Sequence, residues 1–384
     1  KAQTFPKENM EWIIIDDGRD KVEDLFIEAS TTIPNIRYIR INEKMRLGEK
    51  RNRLNKEAKG SIIIAMDDDD YYPPNRVSSV VEAFTNNPTL SLLQEFRSSW
   101  LNAYKKWQYV EMFNIGKAEE LQYTFYMNVY PLTVEDVQNN IDNGGYDLNS
   151  VNNQDAQGFP ALDYLLHGLT DNDTELVNIF TSGPNAEGYK NYVNAILNQM
   201  NSLTNQVLND WKGSFKNTFI NRSGNTATSS LNSLVNDFIF YYEKGLRANK
   251  FGIPAGVFSA NPLPEKVEAF YKKNISKELA LDALQAVEDF FNGKHYNGSL
   301  TGESFKSYLQ YLDRNDIYVS TTDQFNSARI EINNLSNNFS NQINTDNTKM
   351  TKAYDELQKA VVLLKVDMLQ AFSINIDYVD ADGD

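Results

Sequence analysis

This sequence predicts a mostly α-helical fold of packed bundles, preceded by a short α/β segment. Three observations carry that expectation. Short β-branched runs are confined to the first 84 residues. Apolar stripes stepping by three and four residues dominate the chain from residue 85 onward. The charge divides at the same place, with 14 Lys+Arg against 16 Asp+Glu up to residue 84 and 23 against 36 beyond it. At 384 residues the chain is long enough for two domains, here expected over 1–84 and 85–384.

Runs at 12–15, 36–41 and 61–66 are apolar and bounded by polar or turn residues, as buried parallel strands are. Val22, Leu25, Phe26 and Ala29 have helical spacing between the first two, so this part reads as βαβ. Asn87 as N-cap and Pro88 in the first turn then predict a helix start. Leu93, Phe96, Trp100, Ala103, Trp107 and Val110 form its apolar face. Gly158 and Pro160 suit the opening of another helix, held to the core by Leu162, Leu165 and Leu166. On its neighbouring stripe Asp163 and His167 lie one turn apart. A third helix carries Tyr192, Ile196, Met200, Leu203, Val207 and Trp211 and is expected to close at Gly213. A last one carries Tyr354, Leu357, Val361, Leu364 and Met368. The Asn-rich stretches 217–230 and 333–347 read as loops or exposed helix ends.

Composition excludes several functions. Without Cys there is no disulfide, thiolate zinc site or cysteine nucleophile. Two histidines, His167 and His295, rule out a His-rich metal site, and His295 reads as a loop residue. A net charge of −15 argues against nucleic acid as a partner. No run approaches 18 apolar residues, so no transmembrane segment is expected. Neither His-Glu-x-x-His nor Gly-x-Ser-x-Gly occurs. Asp380, Asp382 and Asp384 read as a solvated acidic tail.

The sharpest local motif is Asp67 to Asp70, directly after the apolar run 61–66. Carboxylates beyond the end of a strand hold a divalent cation in some folds and cap the next helix in others, and spacing leaves both open. Lys50, Arg51 and Arg53 are placed to face phosphates. Residues 11–18 (Glu-Trp-Ile-Ile-Ile-Asp-Asp-Gly), 48–52 (Gly-Glu-Lys-Arg-Asn) and 65–74 (Ala-Met-Asp-Asp-Asp-Asp-Tyr-Tyr-Pro-Pro) resemble the family 2 glycosyltransferases of GT-A fold. That resemblance implies nucleotide contact at Asp16 or Asp17 and a metal-binding motif at Asp67 and Asp69. It covers about 75 residues and lacks the acceptor half, so a fragment inactive by itself is expected. The alternative reading of the whole chain is a cytoplasmic, metal-dependent glycosyltransferase using a nucleotide sugar, with a helical partner domain.

About 300 residues carry a second resemblance. Residues 107–118 (Trp-Gln-Tyr-Val-Glu-Met-Phe-Asn-Ile-Gly-Lys-Ala), 128–132 (Asn-Val-Tyr-Pro-Leu) and 158–168 (Gly-Phe-Pro-Ala-Leu-Asp-Tyr-Leu-Leu-His-Gly) resemble imelysin-like proteins. So do 250–254 (Lys-Phe-Gly-Ile-Pro), 267–271 (Val-Glu-Ala-Phe-Tyr) and the closing stretches 366–371 and 380–384, in the family's order. The resemblance implies a double helical bundle, two bundle-like halves in one unit divided near 213–230, and export to the bacterial cell envelope, in the periplasm or anchored to the outer membrane as a lipoprotein. It also implies a link to iron uptake, in a family once classed as metallopeptidases. The family signature Gly-x-His-x-x-Glu falls on Gly158, Pro160 and Asp163, with His replaced by Pro and Glu by Asp. The expectation is therefore a binding protein without peptidase activity, taking a divalent metal ion or an iron-uptake partner. Asp163 and His167 are the candidate metal ligands, and Gly158, Glu111, Asn128 and Tyr130 complete the candidate site.

Overall fold

A computed structural model describes residues 11–16, 26, 35–41, 53–54, 56–59, 76–296, 298 and 300–378. The chain divides into two compact units, 1–73 and 74–384. In the smaller, β1 (Trp12–Asp16) and β2 (Ile36–Arg40) pair in parallel, with Trp12 opposite Ile36 and Asp16 opposite Arg40. The expected strand at 61–66 and the acidic motif with Asp67 and Asp69 lie outside the described residues. So do Asp17, Lys50, Arg51, the tail from 379, and Val22, Leu25 and Ala29 of the expected helix.

The larger unit is helical. Its described residues form ten α-helices of nine residues or more: α1 (Arg76–Asn86), α2 (Leu90–Trp107), α3 (Val134–Asn143), α4 (Gly158–His167), α5 (Asp173–Thr181), α6 (Ala186–Asp210), α7 (Ser230–Phe240), α8 (Ser276–Phe291), α9 (Asn315–Asn333) and α10 (Phe339–Val362). Wider π turns prolong α6 (Trp211–Phe215), α7 (Tyr241–Gly252) and α10 (Leu363–Met368). No described helix is long and apolar enough to cross a membrane.

Two apolar cores result. One gathers Phe84, Trp100, Tyr104, Leu165, Tyr192 and Ile196 from α1, α2, α4 and α6. The other gathers Phe238, Leu284, Phe291, Phe325, Leu357 and Leu364 from α7 to α10 and its π extension. They interlock: Met112 belongs to the second core, while Ala269, Ile275 and Leu279 belong to the first.

Three local expectations need correction. The N-cap of α2 is Thr89, whose hydroxyl accepts the Leu92 N–H at 3.2 Å, and not Asn87. Gly213 does not end the helix. It kinks it (φ −86°, ψ −123°), and the chain resumes as Lys216–Asn221. Within 333–347 only a short connection separates α9 from α10, which Asn338 caps, and Phe339, Gln342 and Ile343 are buried there.

Candidate functional site

The site begins with a backbone constraint. Gly158 opens α4 at φ +71°, and a Cβ there would stand 2.2 Å from the Met127 carbonyl oxygen. Only glycine permits that approach. It brings the segment Asn128–Tyr130 alongside the start of α4. Five residues on, Asp163 is buried (1% exposed), and its two carboxylate oxygens accept the N–H groups of Tyr271 and Lys272, both at 2.9 Å. Burial pushes the Asp163 carboxyl up to about 7, against the pull of those two N–H groups.

Next to it lies a buried polar cluster where the cores meet. Glu268 accepts Gln108 Nε2 at 3.2 Å and Asn128 Nδ2 at 3.0 Å on one oxygen, and Lys250 Nζ at 2.5 Å on the other. Lys250 is 2% exposed and also donates to Gln108 Oε1 at 2.8 Å. Asn128 donates further to Glu111 Oε1 at 3.2 Å and accepts the Tyr104 hydroxyl at 2.7 Å. Its amide thus ties two carboxylates together. Burial raises the Glu111 carboxyl above its ordinary range; Glu268 adds to the rise and Lys250 opposes it. Burial, with Glu268 and Glu111 nearby, also raises the Tyr130 and Tyr241 phenols well above their usual value, so both keep their protons.

Tyr130 and Asp163 face a half-open cleft of about 120 Å³, shared with Pro160, Glu265, Phe270 and Tyr271 among others. His167 has other surroundings. Its ring centroid is 5.4 Å from that of Trp100, and its Nε2 is buried without a hydrogen-bond partner. Burial, then Arg97 and Lys272, push the imidazole down to about 3, so it stays neutral. Among the described residues no hydrogen bond or ion pair joins Asp163 to His167. The fold therefore gathers Glu111, Asn128 and Tyr130 near Asp163 and leaves His167 against the aromatic core.

The donor set does not fit a resident metal. Pro160 has no ligand atom, and both oxygens of Asp163 are taken by backbone N–H groups. At Glu268 the Lys250 ammonium already supplies the cation. Among the described residues no three Asp, Glu or His side chains gather to hold an ion. In the smaller unit, the carboxylate of Asp16 pairs with Arg40 at 2.8 Å and accepts the Tyr38 hydroxyl.

Reading by residue type missed Lys250, Glu268, Gln108 and Tyr104. Two signals were available: Gln108, Lys250 and Glu268 lie in the segments 107–118, 250–254 and 267–271 that carry the resemblance, and Lys250 follows Tyr242 and Leu246 at steps of four, a charge on an otherwise buried stripe.

Comparison with known proteins matches residues 75–367 to the family described as Imelysin. The fold is similar to that of an imelysin-like protein from Psychrobacter arcticum 273-4, with a TM-score of 0.59 at 16% identity over 79% of this chain and 90% of that one. It is also similar to a protein from Parabacteroides distasonis ATCC 8503 described as an iron-regulated protein A precursor, with a TM-score of 0.58 at 15% identity over 76% and 87%. No curated protein matches this chain.

Proposed function

The chain belongs to the imelysin family, and from that premise we propose that it is an extracytoplasmic binding protein of the bacterial cell envelope. In this reading it serves iron uptake, holds its partner at the cleft beside Asp163, and cleaves no peptides. The observation that carries the reading is the make-up of the cleft. Tyr130, Phe270 and Tyr271 supply aromatic surface, Asp163 and Glu265 supply carboxyl groups, and among the described residues no Lys or Arg lines it. Such a lining suits a cationic or hydrogen-bond-donating group with an apolar body. At about 120 Å³ the cleft is well under the roughly 300–1,000 Å³ of a pocket that swallows a whole small molecule. It takes one group of a larger partner.

Similarity to a protein described as an iron-regulated precursor supports the iron link and the export. Peptide hydrolysis by zinc needs about three protein ligands and a general base, and Pro160 with a fully engaged Asp163 provides neither. Calorimetric titration of the full chain with cationic iron chelates and with zinc or manganese salts tests the proposal. Chelate binding weakened by Tyr130→Ala and Glu265→Ala, with no cleavage of an unfolded protein substrate, is expected. Stoichiometric zinc binding that switches on cleavage, lost in Asp163→Ala, overturns it.

A further inference from the structure

A third aromatic cluster stands apart from both cores. Beyond α6, Trp211, Phe215 and Phe219 recur every four residues and pack on one another, with ring centroids 4.8 Å (Trp211–Phe215), 5.5 Å (Trp211–Phe219) and 6.2 Å (Phe215–Phe219) apart. None of the three is fully buried, and Ile220 beside them is 62% exposed. The base of the cluster is fixed, because the Phe215 ring lies against Gly116, where a Cβ would come within 2.5 Å of it.

Charge singles out the same segment. Lys212, Lys216 and Arg222 are all exposed. No acid occurs from residue 211 to 236, the longest acid-free interval in a chain with 52 acidic residues. Between Asp210 and Asp237, in a protein of net charge −15, this stretch carries +3.

We propose that this patch docks on an anionic lipid surface, with Trp211, Phe219 and Ile220 entering the headgroup region and the three cations meeting acidic headgroups. The acidic remainder of the chain does not forbid this, since charges beyond about 8–10 Å are screened at ordinary salt. A second copy fits the patch less well. Partly covered rings of roughly 150–250 Å² each fall short of the roughly 800 Å² per partner that a stable dimer buries. The proposal does not depend on the cleft ligand.

Flotation of the full chain with vesicles of phosphatidylcholine, alone or enriched in phosphatidylglycerol, tests it. The chain should rise with the anionic vesicles only and be released by high salt. Lys212→Glu with Lys216→Glu should weaken binding about a hundredfold, and Trp211→Ala with Ile220→Ser should abolish it, both with unchanged circular dichroism. Equal recovery with neutral vesicles, no recovery, or binding indifferent to the charge reversals overturns the proposal. So does a lipid-free dimer that Trp211→Ala dissociates, which would assign the patch to a second copy.

Discussion

Arg247 and Lys250 sit three residues apart on the same π extension, both buried, and they end in opposite electrostatic settings. Arg247 points into the second core, 3.3 Å from Glu243 and 5.1 Å from the ring centre of Tyr354. Glu243 also receives Lys365 at 3.2 Å and the Tyr378 hydroxyl at 3.3 Å. Among the described residues, two cations there face one carboxylate. Around Lys250 the balance reverses: one cation faces Glu268, and Glu111 is joined to the same group through Asn128. The first cluster lies within the second core. The second keeps an excess of carboxylate next to a cleft, the arrangement a cationic group would seek. Burial of a charge pair therefore says little about its role; its surplus, and what lies beside it, says more.

The contrast can be broken most forcefully at Lys250. Lys250→Met should cost about 3–5 kcal/mol in urea unfolding, because it strands the Glu268 carboxylate in the interior. Adding Glu268→Leu should recover more than half of the loss. If it recovers nothing, charge balance is not what Lys250 supplies.

Asp163→Asn should cost less, about 1–3 kcal/mol, since one of two backbone N–H groups loses its carboxylate acceptor. It should also change the pH profile. The folded carboxyl titrates near 7, above its ordinary value, so the folded state takes up the proton and Asp163 makes stability fall as pH rises from about 4 to about 7. His167 acts in the other direction. Its folded value of about 3 lies below the ordinary imidazole range, so stability falls as pH drops from about 6.5 to about 3. The two slopes oppose each other in the wild-type chain. In Asp163→Asn the histidine slope should emerge, and unfolding midpoints between about pH 4 and pH 6.5 should rise more steeply than in the parent. Parallel profiles would show that Asp163 does not shape the pH dependence.

The smallest effect is expected at the Glu243 cluster. Lys365→Met should cost about 1 kcal/mol, the loss of one hydrogen-bonded partner, because Glu243 keeps Arg247 and Tyr378. A loss matching that of Lys250→Met would erase the distinction between the two settings.

Much of the fold was legible because helical stripes report burial directly. Leu93, Phe96, Trp100 and Trp107 are all buried as their spacing requires. Val110, on the same stripe, is 48% exposed because α2 stops at Trp107. Helix ends were harder. Asn87 and Thr89 are both good caps, and only side-chain geometry chooses between them. Gly213 can close a helix or kink it, and the deciding information lies downstream, in the rings of Phe215 and Phe219. Within the site, the signature positions pointed to Asp163, and the flanking segments pointed to Glu111, Asn128 and Tyr130. Lys250 and Glu268 also lie in segments that carry the resemblance, 250–254 and 267–271, but nothing about their residue type marked them as buried. A lysine reads as surface until a partner is found for it, and the partners of Lys250 lie 18 and 142 residues away in sequence.

The interlocking of the cores has a consequence for biosynthesis. The first core draws Ala269, Ile275 and Leu279 from beyond α7, so helices complete by Asp210 cannot finish packing when they leave the ribosome. They wait for roughly seventy more residues, several seconds at about 5–20 residues per second. During that interval the Asn128 and Gln108 amides lack their acceptor at Glu268. An exported chain would spend this period unfolded enough to be threaded, and it would lock only when its second half arrived.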